Sequence, residues 1–265
     1  MPLIDFHMHA YSDSIAQRAL QSLADTAGET PYTNGTIQDT VDKMYEWGVD
    51  YGVLMPVATK PAQQETLNNW ADDIQYKYNH IYSFGTVHPR AQNIPAELGR
   101  IKRMELRGVK LHPDYQGFYL SDESLHSIYA EMEKLRLPVM FHMGYDPYST
   151  SIHATPKSLC AIAQKFRNLT IIGAHLGGLK MYDDVERYLV GLPNVYLDTS
   201  MCSRFCPPEQ LLRIINNHGA EKILFATDCP WNLPEQELEI LESIGLTDEQ
   251  KSLIYYKNAA KLLNI

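Results

Sequence analysis

Two histidines one residue apart open the chemistry of this chain, in Asp5-Phe6-His7-Met8-His9. Residues two apart on a strand share a side, so both imidazoles are expected to point the same way. Imidazole is a borderline-soft ligand suited to Zn²⁺, Fe²⁺, Ni²⁺ or Mn²⁺. The pair alone is weak, because a satisfied core histidine is the commoner reading of any such match. Other residues change that weighing: His142 closes Val-Met-Phe-His142, His175 closes Ile-Ile-Gly-Ala-His175, and Asp228 closes Leu-Phe-Ala-Thr-Asp228. Each also ends a short apolar run. Packing alone seldom produces five such residues at run ends, so His7, His9, His142, His175 and Asp228 are expected to hold a divalent metal.

The elements that must bring them together are short apolar runs at residues 3–6, 51–57, 81–87, 108–111, 139–143, 170–174, 195–197 and 223–226. Most are near-continuous rather than alternating, as strands buried on both faces of a parallel sheet require. Helical periodicity fills the gaps, with starts at Thr36, Ser121, Thr155-Pro156 and Pro207-Pro208. Eight βα units predict an α/β fold, a (β/α)8 TIM barrel occupying residues 1–265 as one domain. The first gap leaves room for an extra helix over 15–27 and a loop over 28–35, and a helical stretch over 248–263 ends the chain. In such a barrel the carboxyl ends of all strands meet on one rim, where active sites lie.

Composition narrows the function. With 45% apolar and 21% charged residues, the chain is neither disordered nor a disulfide scaffold. Four scattered Cys, with no CxxC pair and no basic-then-apolar leader, point to a cytoplasmic protein with reduced thiols. No apolar run approaches a membrane span. Acidic residues outnumber basic ones 32 to 23, which argues against nucleic-acid partners. P-loop, dinucleotide and GxSxG signatures are absent. Nucleotide cofactors and serine hydrolysis therefore have no support, and the small-molecule substrate expected below comes from a family resemblance.

These residues, with Gly108-Val-Lys110-Leu-His112-Pro113, His175-Leu-Gly-Gly178, Ala226-Thr-Asp228-Cys-Pro230 and Asn258-Ala-Ala-Lys-Leu-Leu263, resemble the amidohydrolase superfamily. The nearer match is its amidohydrolase-related branch, which also contains decarboxylases of the aminocarboxymuconate-semialdehyde type. The resemblance spans essentially the whole chain. It implies a dication that activates water and polarises the scissile carbonyl, with Asp228 shuttling the proton. Lys110 decides the metal count. Carboxylated, it would bridge two metals, joining His7, His9, His142, His175 and Asp228. As a free ammonium it would bind an anionic substrate or pair with an Asp, leaving one metal on His7, His9, His142 and Asp228 and His175 as acid/base. Zn²⁺ is the expected ion, one or two per chain.

Around the rim, His112 and His88 are candidate substrate contacts, Lys60 and Arg204 candidate carboxylate holders, and Trp231 a candidate pocket wall. The leading expectation is a metal-dependent hydrolase of a small amide, cyclic amide or lactone. The chain's compactness favours that reading over the alternative, a non-oxidative decarboxylase on the same metal site. Barrels of this type often pair through outer helices, so a homodimer is possible.

Overall fold

The computed structural model describes all 265 residues. Nine strands follow in chain order: β1 (Ile4–Met8), β2 (Tyr51–Leu54), β3 (Ile81–Ser83), β4 (Gly85–Thr86), β5 (Val109–Leu111), β6 (Val139–Phe141), β7 (Ile171–Gly173), β8 (Val195–Asp198) and β9 (Ile223–Leu224). Every pairing is parallel and between sequence neighbours, in two stretches, β1 to β3 and β4 to β9. Backbone bonds join the stretches: Phe84 N–H donates to Leu54 O, and Phe6 N–H to Phe225 O, both at 2.9 Å. The result is the expected closed (β/α)8 barrel. Its third stave is interrupted at Phe84, whose ring meets Phe6 edge-on inside the barrel with centroids 5.8 Å apart. One apolar run in the sequence therefore becomes two short strands.

The barrel interior is filled by Ile4, Phe6, Val53, Met55, Met140, Ile172 and their neighbours, and a second apolar shell lies between strands and helices. The expected extra helix forms as Ala16–Ala27. Thr36 caps Ile37–Glu46 by accepting from Asp39 N–H, and Thr155 caps Pro156–Lys165 with Pro in its first turn. The Ser121 start falls differently. Asp122 stands at the cap position of a 3-10 turn over Glu123–Leu125, without a side-chain capping bond, and that turn leads into the helix His126–Leu135. The terminal stretch is helical with a π segment, Leu253–Lys257, ahead of Asn258–Leu263. Ala259, Ala260 and Leu263 close the barrel's far end. No helix is long and apolar enough to cross a membrane.

Two local features aim the site. Ile4 and Phe6 point inward, so strict alternation would turn His7 out. The β1–β2 register shifts between Asp5 and Met8, and this bulge returns His7 to the barrel axis. Beyond β6, Gly144 sits at φ +85°, and a Cβ there would lie 2.2 Å from Leu179 N. Only glycine lets the two rim loops touch this closely.

Candidate active site

The two histidines of β1 each have one ring nitrogen committed. His7 Nδ1–H donates to Asp198 Oδ2 at 2.9 Å, and His9 Nδ1–H donates to Met55 O at 2.9 Å. Both Nε2 atoms therefore carry lone pairs. These lie 3.1 Å apart, and Asp228 Oδ1 is 3.3 Å from the first and 3.1 Å from the second. Three electron-rich atoms converge where they repel one another unless a cation lies between them. Donors about 2.0–2.1 Å from a tetrahedral centre are about 3.3–3.4 Å apart, so the trio fits a first-row dication. Burial, with Lys110 nearby, holds the His7 pKa well below its ordinary value and keeps it a neutral ligand. Burial alone would raise Asp228, but His7, His9 and His175 outweigh it and bring its pKa to about 2, so the carboxylate stays ionised.

Asp198, at the end of β8, organises this centre, and the sequence reading missed it. Its Oδ1 accepts from His175 N–H at 2.8 Å, Ser200 N–H at 3.1 Å and Ser200 Oγ–H at 2.6 Å, while Oδ2 holds His7. With its hydrogen spent on Asp198, Ser200 Oγ accepts from His175 Nδ1–H at 2.9 Å. His175 Nε2 then faces His142 Nδ1 at 3.1 Å and Asp228 Oδ2 at 3.9 Å. His175 thus stands beside the trio rather than within it, and His142 lies one imidazole further out. Burial lowers the His175 pKa while Asp228 and Asp198 push it back up.

His142 Nε2 is buried without a hydrogen-bond partner. It and His112 Nε2 each lie 3.6 Å from Asp146 Oδ2, with the two imidazoles stacked 4.1 Å apart. His112 Nδ1 accepts from Tyr115 N–H at 3.4 Å, which leaves the His112 proton on Nε2, facing Asp146. At 3.6 Å both contacts lie beyond hydrogen-bond distance, so this second group of possible ligands converges without being bonded within itself. Asp146, absent from the sequence reading, has its pKa raised to about 7 by burial.

Lys110 lies on β5 and is wholly buried, its Nζ 2.9 Å from His7 Nε2. It has no carboxylate within ion-pair distance and is not among the residues lining the pocket. Burial lowers its pKa to about 8, against the opposing pull of Asp228 and Asp198.

Above these groups opens a pocket of about 220 Å³. His9, His112, His142, His175 and Asp228 face it, and Tyr11, Tyr115, Tyr145, Phe205 and Trp231 form much of its wall. Trp231 lines it. Lys60 does not: it is exposed at the start of a 3-10 turn, bonded through its N–H to Gln63, away from the pocket. Arg204 is committed to Glu29, at 2.6 Å, and ties the first rim loop to the loop after β8. His88 is buried outside the pocket, its Nδ1 accepting from Arg90 N–H.

A parallel barrel with a His-His-Asp pole at its carboxyl rim defines a metal-dependent barrel enzyme. The chain belongs to the amidohydrolase family, whose sequence profile matches residues 4–265. No curated protein matches it. Among solved structures it is similar to an uncharacterised TIM-barrel protein from Bordetella bronchiseptica, at 18% identity over 100% of this chain and 99% of that one, TM-score 0.82. It is also similar to 5-carboxyvanillate decarboxylase from Sphingomonas paucimobilis, at 15% identity, 100% and 99% coverage and TM-score 0.71. A third is a dihydroxybenzoic acid decarboxylase from Polaromonas sp. JS666 with bound manganese and the inhibitor 2-nitroresorcinol, at 18% identity, 99% and 97% coverage and TM-score 0.73.

These matches correct the hydrolase expectation. Five of the similar structures are decarboxylases that align over nearly their whole length, and two others carry only the amidohydrolase name. Compactness, the argument for hydrolysis, therefore does not separate the two. Zinc is likewise not singled out, because relatives hold manganese.

Proposed function

We propose that the chain is a metal-dependent, non-oxidative decarboxylase of a small aromatic carboxylic acid. One observation carries this reading: an aromatic-walled pocket about the size for one ring ends on an acid/base floor around the His7–His9–Asp228 pole. The decarboxylases that share the fold act on, or bind inhibitors shaped like, substituted benzoates, which supports it. His7, His9 and Asp228 would hold the ion, and the imidazole–carboxylate set suits manganese and zinc alike. When bound, the ion supplies a Lewis acid that orients the substrate's oxygens.

In the reaction the bond between ring and carboxylate breaks, its electron pair stays on the ring carbon, and that carbon takes a proton as CO₂ leaves. No oxidant is needed. His175 is the proton carrier we assign. Ser200 and Asp198 fix its ring from behind, and Asp228 opposite stabilises its charged form. Tyr11, Tyr115 and Trp231 wall the pocket and exclude water, with Asp228 kept ionised as a ligand rather than spent as an acid. Lys110, a buried amine against His7, remains the residue that sets whether one ion or two bind. Metal content measured with and without bicarbonate reads that directly.

The test is CO₂ release from a panel of mono- and dihydroxybenzoic acids by manganese- and zinc-loaded protein. Metal-dependent CO₂ from at least one acid supports the reading, and none across the panel with either metal overturns it.

A further inference from the structure

Charge around the pocket is unevenly spent. Among its lining residues, Glu29 is neutralised by Arg204 at 2.6 Å, Asp146 lies 3.6 Å from both His112 and His142, and Asp228 faces the histidines of the metal pole. Lys180 is the one lysine or arginine that lines the pocket, and it has no carboxylate within 4.0 Å and no hydrogen bond to its ammonium. Its Nζ sits 4.1 Å from the Tyr145 ring centroid and 4.8 Å from that of Phe205, both also pocket walls. Two aromatic faces hold the ammonium in place without neutralising it or using its three N–H donors. Its backbone is left-handed, at φ 61°, a conformation that costs a lysine free energy and that the surrounding loop must enforce. Lys180 is exposed, whereas His7 and His175 at the floor are almost fully buried, so the cation marks the mouth.

We infer that Lys180 is an anion-binding subsite and that the substrate is a diacid. One carboxylate reacts at the metal pole, and a second anionic group on the same ring is held at the mouth by Lys180. The inference rests on the decarboxylase reading for the role of the first carboxylate.

The experiment is calorimetric binding to the manganese-loaded protein of benzoate, phthalate, isophthalate and terephthalate, which differ only in a second carboxylate and its position. Wild type, Lys180→Gln and Lys180→Arg are compared, with thermal melting to confirm folding. A charge-assisted contact at a partly open mouth is expected to make at least one diacid bind five- to tenfold more tightly than benzoate. That advantage should vanish in Lys180→Gln and return in Lys180→Arg, with benzoate affinity unchanged in all three. A diacid advantage that survives Lys180→Gln overturns the inference, as does none in wild type. Benzoate binding that disappears when the metal is stripped reports on the floor alone, so failure of the decarboxylase reading appears separately, in CO₂ release.

Discussion

Replacing Asp198 with Asn changes a single atom's hydrogen-bonding sense at the base of the metal pole. Asn Oδ1 can still accept from His175 N–H, Ser200 N–H and Ser200 Oγ–H. Its Nδ2, however, would stand where Oδ2 now accepts from His7 Nδ1–H at 2.9 Å, setting two donors face to face. His7 escapes by moving its proton to Nε2, the atom 3.1 Å from His9 Nε2 and 3.3 Å from Asp228 Oδ1. A protonated nitrogen cannot bind a metal, so one of three ligands is lost unless the tautomer is forced back. Carboxylates behind metal-binding histidines are typically worth 10–100-fold in affinity, about 1.4–2.7 kcal/mol. Asp198 is fully buried and accepts four bonds, so the upper end is expected here. The assay is competition for Mn²⁺ or Zn²⁺ against a chromogenic chelator, with a melting curve to show that the fold survives. Affinity within twofold of wild type, in a folded variant, would refute the tautomer argument.

Other outcomes follow from the same geometry. Asp228→Asn should lower metal affinity and cut turnover by about 10³-fold or more, since it removes both a ligand and the charge facing His175; metal titration and CO₂ release would show both. Lys60→Ala should leave kcat/KM within about twofold, because its side chain is exposed away from the pocket, while Arg204→Ala frees Glu29 and should raise KM several-fold. Glu237 is buried with its pKa raised to about 8, while accepting from Ser203 and Asn232. A carboxyl with a folded pKa above its unfolded one contributes stability at low pH that is lost as pH rises, here between about 4.5 and 8. Glu237→Gln should therefore flatten the fall of Tm over that window and melt roughly 5 °C higher at pH 8.

The barrel was legible because parallel strands buried on both faces write themselves as short apolar runs, and helix caps such as Thr36 and Thr155 act locally. His7, His9 and Asp228 were legible because strand ends converge in this fold wherever they fall in sequence. What escaped was set by tertiary contact. Asp198 sits one residue beyond an apolar run, and nothing local says that it holds His7 from across the barrel. The bulge in β1 leaves no mark in Asp5-Phe6-His7-Met8-His9, although strand alternation fails there. Lys60 and Lys180 both follow strands of the barrel, and only the path of each loop decides which ammonium meets the pocket. Hydrolysis was favoured on chain length, a quantity that carries no information about the reacting bond.

The central claim is tested most directly by running the reaction in D₂O with an accepted acid, metal-loaded and chelator-stripped in parallel, and examining the product by mass spectrometry and NMR. The account predicts a product that has lost its carboxyl group and carries one deuterium on the carbon that bore it, formed only with metal present. A product that keeps every carboxylate and has instead gained the elements of water would contradict it.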